Sequence, residues 1–339
     1  MQRLERLWYE HAAGPSLLAP LGWLYGALGA LRRGAYRTRL LRARRLSRPV
    51  VVVGNLTVGG TGKTPLTIYL ARELAAAGLR VGIVSRGYGR QGREARAVQA
   101  DSDWRDVGDE PLLLVRRTGC PTMVAADRVA AARTLIARGA EVILADDGLQ
   151  HLRLARDCEI VVIDGSRGFG NGRLLPAGPL REPAARLARA DLVVVNGEPV
   201  HGSLGGAVLP ADALRMQLAA QSAVRLDGRG RACELGAFRG RRVHAVAGIG
   251  NPRRFFGELA ARGIEVIEHP FPDHHPFTAR ELAFGDELPV LMTEKDAVKC
   301  AAFANARLWY VPVSAVFSDA DALRLRAGLL GRLRGAPGG

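Results

Sequence analysis

A chain of 339 residues that is 48% hydrophobic and 24% charged has a globular balance with room for two α/β units, which excludes a disordered or fibrous protein. Its 48 Lys+Arg against 33 Asp+Glu leave a net charge of +15, which suits polyanionic partners: nucleic acid, phospholipid headgroups or phosphorylated substrates. Four widely spaced cysteines, Cys120, Cys158, Cys233 and Cys300, form no CxxC pair, which argues against a zinc site or a secreted disulfide framework and for a reducing cytoplasm.

The first element is apolar and then basic. Residues 15–31, PSLLAPLGWLYGALGAL, carry no charge, and eight arginines follow between 32 and 48. The run falls short of the roughly 20 apolar residues of a spanning helix and contains Pro15, Pro20, Gly22, Gly26 and Gly29. Its expected place is the membrane interface, with Trp23 and Tyr25 at headgroup level and the arginines on anionic lipid. Three alternatives compete: packing on the protein's own core, a signal peptide, and a nucleic-acid-binding arm. The last explains the arginines but not the apolar run before them.

After Pro49 the pattern becomes strand, glycine loop, helix. Residues 50–53 are a β-branched run of the kind buried in a parallel sheet, and a helix follows with Leu66, Tyr69, Leu70, Leu74 and Ala77 at helical spacing. Short apolar runs recur at 81–84, 142–144, 160–163 and 192–195, separated by helix-like stretches. That alternation predicts a mostly parallel sheet of the phosphate-loop NTPase type, with helices on both faces. From about 197 to 240 the pattern weakens and glycine is frequent, as in a linker or a hairpin-rich junction. A second set at 243–247, 264–267, 290–293 and 308–311 predicts a smaller α/β domain. The expected division is 1–46 for the membrane-associating segment, 47–225 for the phosphate-loop domain and 226–339 for the smaller domain.

The loop reads Gly54-Asn-Leu-Thr-Val-Gly-Gly-Thr-Gly-Lys63-Thr64-Pro65. A phosphate loop needs small residues that let successive N–H groups face a phosphate, a helix N-terminus behind them, a lysine, and a hydroxyl for Mg²⁺. Thr57, Val58, Gly59, Gly60, Thr61, Gly62, Lys63, Thr64 and Pro65 supply these, although GxxxxGK[ST] asks for glycine where Thr57 stands. A tight turn with a solvated lysine is the plain alternative. The run at 142–144 ends in Asp146 and Asp147, as expected of an acidic strand end that holds Mg²⁺ opposite such a loop; a turn cap is the alternative there. On spacing alone, Asp109 reads as a helix N-cap, and His274 and His275 read as solvated loop residues.

Taken together, GNLTVGGTGKTP, SRGYGR at 85–90, GDEP at 108–111, ADDGLQH at 145–151, LPAGPLRE at 175–182, PDHHPF at 272–277 and TEKDAVK at 293–299 closely resemble the tetraacyldisaccharide 4′-kinase family of lipid A biosynthesis. The resemblance implies transfer of the ATP γ-phosphate to the 4′-hydroxyl of an acylated glucosamine disaccharide 1-phosphate, giving lipid IVA. It places the enzyme peripherally at the cytoplasmic face of the bacterial inner membrane. It implies ATP and Mg²⁺ as cofactors, an anionic membrane surface as partner, no nucleic acid and no obligate protein partner. By the same resemblance Asp109 and His274 form a catalytic pair, with Lys63 at the phosphates. Thr64, Asp146, Asp147 and Glu182 surround the metal. Tyr88, Arg128, Gln150, His151 and Arg181 lie near the acceptor; for the arginines, a solvated side chain is the alternative. The rival class is a membrane-recruited phosphate-loop ATPase, which has no need of Asp109 or the PDHHPF loop.

Overall fold

In the computed structural model, residues 7–9, 16–204, 209–228 and 232–335 are described. The predicted segment at 1–46 therefore lies partly outside the described residues. Two sheets organise the described residues. The first has nine strands: β1 (Val50–Gly54), β2 (Val81–Ser85), β3 (Arg96–Val98), β4 (Thr122–Val124), β5 (Val142–Asp146), β6 (Cys158–Asp164), β7 (Leu192–Asn196), β8 (Leu214–Ala220) and β15 (Val313–Phe317). Their order is β15-β8-β7-β6-β1-β5-β2-β4-β3, antiparallel at the two edge pairs and parallel between them. The second sheet has the order β10-β9-β14-β13-β11-β12, formed by β9 (Ser222–Arg225), β10 (Cys233–Glu234), β11 (Arg242–Ala247), β12 (Glu265–Pro270), β13 (Val290–Thr293) and β14 (Leu308–Val311).

Every apolar run read as a strand falls on a strand, because the central strands of a covered parallel sheet are apolar on both faces. All five residues of β1 are buried. Val51 and Val53 face one layer, made by α2 (Lys63–Ala76), α4 (Asp109–Thr118) and α8 (Asp319–Arg334), through Leu66, Leu70, Leu114, Leu325 and Leu329. Val50 and Val52 face the other, where α5 (Arg128–Ala137) contributes Val129, Ala132 and Leu135. The period of two along β1 is what allows one strand to serve both cores. Burying one such leucine contributes about 1.5–3 kcal/mol.

The chain crosses between sheets twice. Gln221 separates β8 from β9, and Pro312 separates β14 from β15. Because β15 pairs with β8 and β14 with β9, the crossings lie side by side as one antiparallel ribbon running through both sheets. Residues 313–334 thus return to the first sheet, whereas the single cut at 225/226 assigns them to the smaller unit. The weak pattern of 197–240 also holds strands: β8 alternates buried and exposed residues and sits next to an edge. The second sheet is covered on one face by α6 (Pro252–Ala261), with Phe255, Phe256 and Leu259. On the other lie α7 (Glu294–Cys300) and the 271–284 segment, through Phe277, Leu282, Ala297 and Cys300. The short α3 (Trp104–Val107) leads into α4.

The apolar N-terminal run is one unbroken helix, α1 (Ala19–Arg37), despite its glycines. Gly22 and Gly26, one turn apart, let it approach the 174–177 loop: a Cβ on Gly22 would sit 3.1 Å from the Leu174 carbonyl oxygen, and one on Gly26 2.6 Å from its side chain. The opposite stripe, Leu17, Leu21, Leu24, Leu28 and Leu31, is exposed, as are Trp23 and Tyr25. No described helix is long and apolar enough to cross a membrane.

All four cysteines are free, and burial pushes the thiols of Cys158 and Cys300 up to about 12, as suits inert core residues.

Candidate active site

The phosphate loop leaves β1 at Gly54 and enters α2 at Lys63. Gly62 caps the helix with φ of +96°, and a Cβ there would lie 2.6 Å from the Asn196 side-chain nitrogen. Both facts demand glycine. Thr57, which stands where the common motif has glycine, forms a bridge to Leu180, and the Val58 N–H donates to the Pro179 carbonyl at 2.9 Å. The first half of the loop is therefore pinned by the LPAGPLRE segment, which explains how a β-branched residue is accommodated at 57. Gly59, Gly60 and Thr61 follow, and the Thr61 carbonyl accepts from Asn196 Nδ2 at 3.0 Å.

Parallel pairing of β1 with β5 sets Val53 opposite Asp146, so the acidic strand end emerges beside the loop. Asp146 is fully buried. Its Oδ1 accepts from Thr67 Oγ1 at 3.0 Å, and its Oδ2 has no hydrogen-bond partner. Burial, then the charges of Glu110 and Asp147, push its carboxyl up to about 7. Asp147 sits at φ +48°, a costly conformation for a non-glycine residue that aims its carboxylate back at the loop. Arg181 Nη1 lies 3.2 Å from both Asp147 oxygens, and Lys63 Nζ lies 3.7 Å from Oδ1. Burial opposes that charge, but Lys63, Arg181 and Arg128 outweigh it and hold the carboxyl well below the usual range. Thr64 and Pro65 occupy the first turn of α2.

Glu182 is buried. Its Oε1 accepts from Gln150 Nε2 at 3.1 Å, and its Oε2, without a hydrogen bond, lies 3.5 Å from Arg186 and 3.7 Å from Arg33 of α1. Gln150 also reaches the Asn55 carbonyl. Arg128, the first residue of α5, is buried with its Nε unpartnered and its charge near Asp147 and Asp146. His151 has a buried, unpartnered Nε2; burial and then Arg128 depress it to about 4, so it is neutral. Among the described residues no group of three or more His, Cys, Asp or Glu side chains is arranged to hold a metal by itself.

Asp109 opens α4 after Gly108. Its carboxylate caps little beyond the next N–H: it meets His274 Nδ1 at 2.9 and 3.1 Å, across 165 residues of sequence. The side-chain pairing thus departs from the plain N-cap and solvated-loop interpretations. His274, like Asp147, has positive φ, at +61°. Burial favours the charged form of neither partner, yet their mutual contact and Lys295 hold Asp109 well below the usual carboxylate range. The Asp109 hydrogen bond raises His274 above 6.5 against its own burial. Tyr88 is exposed, with its ring 4.8 Å from the His274 ring. His275 points elsewhere: its Nε2 pairs with Glu281 at 2.9 Å, and its ring packs between Phe271 and Phe277.

Several residues of the site escape sequence inspection. Gly250, ahead of α6, lies against the phosphate loop, where a Cβ would come within 2.5 Å of the Gly60 nitrogen. Arg167 holds the Gly250 carbonyl at 2.7 Å, and Arg254 holds Asn196 at 2.9 Å. Only Asn196 carried a signal, a lone polar residue ending an apolar strand.

A phosphate loop at a strand–helix junction, an acidic strand end beside it and a carboxylate–imidazole pair define a phosphate-loop phosphotransferase. The family model described as tetraacyldisaccharide-1-P 4′-kinase matches residues 15–333, and the chain belongs to that family. It is 55% identical to the tetraacyldisaccharide 4′-kinase of Alkalilimnicola ehrlichii over 95% of this chain and 93% of that protein. It is 49% identical to the one from Methylobacillus flagellatus over 96% and 95%. Among solved structures it resembles LpxK from Aquifex aeolicus, described as an "apo" form in complex with ATP, with a TM-score of 0.76 and 28% identity over 94% of this chain and 99% of that one.

Proposed function

We propose that this protein is an ATP-dependent lipid kinase that transfers the γ-phosphoryl group of ATP to the 4′-hydroxyl of tetraacyldisaccharide 1-phosphate, forming lipid IVA. The observation that carries this assignment beyond nucleotide binding is the pairing of buried Asp109 with half-buried His274, joined to the phosphate loop by a continuous path of contacts. Gly250 touches Gly60, and the Gly248 N–H donates to Asp296, whose other oxygen meets Lys299, 3.8 Å from Asp109. A phosphate-loop ATPase without an alcohol acceptor has no use for such a pair.

In the mechanism, the N–H groups of residues 59–64 and the Lys63 ammonium bind the β- and γ-phosphates at the N-terminus of α2. The acceptor hydroxyl hydrogen-bonds to Asp109. As the new O–P bond forms and the γ-phosphorus separates from the β–γ bridging oxygen, the hydroxyl proton passes to the Asp109–His274 pair, whose contact sets its proton affinity. Arg181 and Arg128 carry positive charge where negative charge spreads over the transferred group. The orphaned oxygens of Asp146 and Glu182 fit a divalent cation. Thr64, Asp146, Asp147 and Glu182 would hold Mg²⁺, directly or through water, and the ion would neutralise phosphate charge. Tyr88, Gln150 and His151 line the acceptor side.

The exposed leucine stripe of α1 supports attachment to an anionic membrane surface at the cytoplasmic face of the inner membrane. The glycine stripe faces the protein, and the arginines after residue 31 suit lipid phosphates. Arg33 lies 3.7 Å from Glu182, which supports an arrangement with the end of this helix beside the proposed site. The test is to offer γ-labelled ATP with tetraacyldisaccharide 1-phosphate in mixed micelles. Label in the lipid supports the assignment, whereas ATP hydrolysis without labelled lipid overturns it.

A further inference from the structure

Lys295 of the TEKDAVK segment has no part in the mechanism above, yet it sits behind the Asp109–His274 pair. Lys295 projects from the first turn of α7 into the seam between α7 and α4. Its Nζ lies 2.9 Å from Glu110 Oε1 on α4, 3.2 Å from Asp273 Oδ1, and 3.4 Å from His274 Nε2. The side chain is only 16% exposed. One ammonium therefore touches the residue after Asp109, the residue before His274, and His274 itself.

We propose that Lys295 is a positioning residue for phosphoryl transfer: it holds the Asp109–His274 pair together across the seam between α4 and the 272–277 loop. The inference rests on the assignment of the Asp109–His274 pair as the proton acceptor.

Three observations support it. First, the geometry joins both sides of the seam. Asp109 and Glu110 come from the first sheet's α4, and Asp273 and His274 come from a loop of the second sheet's layer; the carboxylates of Glu110 and Asp273 meet only through Lys295 among the contacts described. Second, the electrostatics need a cation there. Asp109 is 3% exposed, and burial disfavours its charge; Lys295 supplies the largest opposing influence, ahead of the His274 hydrogen bond. Burial disfavours the Lys295 ammonium as well, but Glu110, Asp109 and Asp273 outweigh it and keep the lysine charged. Third, the rest of the segment is built to hold this lysine in place. Thr293 caps α7 through the Asp296 N–H, Asp296 also accepts from Gly248, and Lys299 pairs with Asp296 at 2.8 Å.

The charged and titratable groups facing the pair are then Glu110 on its own helix, Lys295, Asp296 and Lys299 on α7, Asp273 on the loop, and the Tyr88 phenol against His274. Losing the Lys295 charge removes the nearest cation to His274 and the main one acting on Asp109. Both losses shift protonation of the pair to higher pH.

The test compares wild type with Lys295→Met and Lys295→Gln, the second keeping hydrogen-bonding reach without charge. Turnover, KM for ATP and the pH profile are measured with tetraacyldisaccharide 1-phosphate in mixed micelles, and thermal melting checks folding. Both variants are expected to lose roughly 10- to 100-fold in turnover. KM for ATP should stay within about twofold, and the acidic limb should move to higher pH. Lys295→Arg, which keeps the charge, should retain the wild-type limb. A folded Lys295→Met or Lys295→Gln with wild-type turnover and an unmoved acidic limb overturns the proposal. So does Lys295→Arg with a limb displaced as far as theirs. Where Lys295→Met does not melt cooperatively, the Gln and Arg variants decide. If wild type itself labels no lipid, it is the kinase assignment that fails.

Discussion

His274 Nδ1 lies 2.9 Å from Asp109 Oδ2, and this contact joins a helix start in the first sheet's layer to a left-handed residue in the second. A contact so placed can exist only when both layers are folded and seated, so the base is assembled by tertiary structure. Asp109→Asn and His274→Ala should each lower turnover by roughly 10²- to 10⁴-fold, the usual range for a lost acid–base group. ATP affinity should stay near wild type, because neither residue touches the phosphate loop. Steady-state kinetics together with nucleotide titration checks both halves, and unchanged turnover in either variant would remove the pair from the mechanism.

The same contact should make stability depend on pH in two directions. Asp109 is depressed when folded, so its contribution is present above its ordinary value of 3.8 and is lost as pH falls through its lower folded value. His274 is raised, so its contribution is full below its ordinary 6.5 and is lost as pH rises through its higher folded value. The melting-temperature gap between wild type and His274→Gln should therefore be widest in mildly acidic buffer and shrink above neutral pH. A gap that is constant from pH 5.5 to about 8.5 would contradict the linkage.

Much of the fold was legible for a simple physical reason. Strands buried on both faces, such as β1 and β6, read as continuous apolar runs because neither face meets water. β3 and β4 have three residues each, and β8 mixes exposed Arg215 and Gln217 with buried Leu214 and Met216, so no window picks them out. The phosphate loop and the Asp146–Asp147 end were visible because they are local: chemistry and spacing lie within one turn of chain. The Asp109–His274 pair is not local, and spacing alone favoured capping and solvation. Only the family motifs brought its members together. Arg254, Gly250 and Lys295 act across the seam between the layers, where the sequence carries no trace of proximity.

Lys63 and Asp147 lie 3.7 Å apart beside the Gly62 cap, so the lysine is preplaced where phosphate charge would sit. Lys63→Ala should lower turnover over KM for ATP by about 10²-fold or more, the scale of losing one preorganised electrostatic group. Unlike the Asp109 variants, it should also weaken nucleotide binding itself. Equilibrium titration with a fluorescent ATP analogue separates the two behaviours: wild-type affinity in Lys63→Ala would detach this loop from phosphate recognition.

Thr67, one turn into α2, donates to Asp146 inside a fully buried pair. Thr67→Val keeps the shape and removes the donor, leaving a carboxylate oxygen unsatisfied, which costs about 1–3 kcal/mol. The variant should melt lower than wild type, and the deficit should shrink when Asp146→Asn is made in the same chain, since the two effects share one hydrogen bond. Additive losses in the double variant would show that the bond contributes nothing of its own.

The leucine stripe of α1 offers the clearest test of membrane attachment, because its residues are already exposed and their loss leaves the core untouched. Leu21, Leu24 and Leu28 lie on one face, opposite Gly22 and Gly26, which seat the helix on Leu174. If that face enters the interface, each leucine contributes up to about 1.5–3 kcal/mol of transfer free energy. Leu21→Ser/Leu24→Ser/Leu28→Ser should then abolish flotation with anionic liposomes while leaving the melting temperature and ATP binding near wild type. Binding by the wild-type chain should weaken with added salt, since arginines after residue 31 add an electrostatic share that ions screen. Flotation of the triple variant at wild-type levels would move the attachment away from this face.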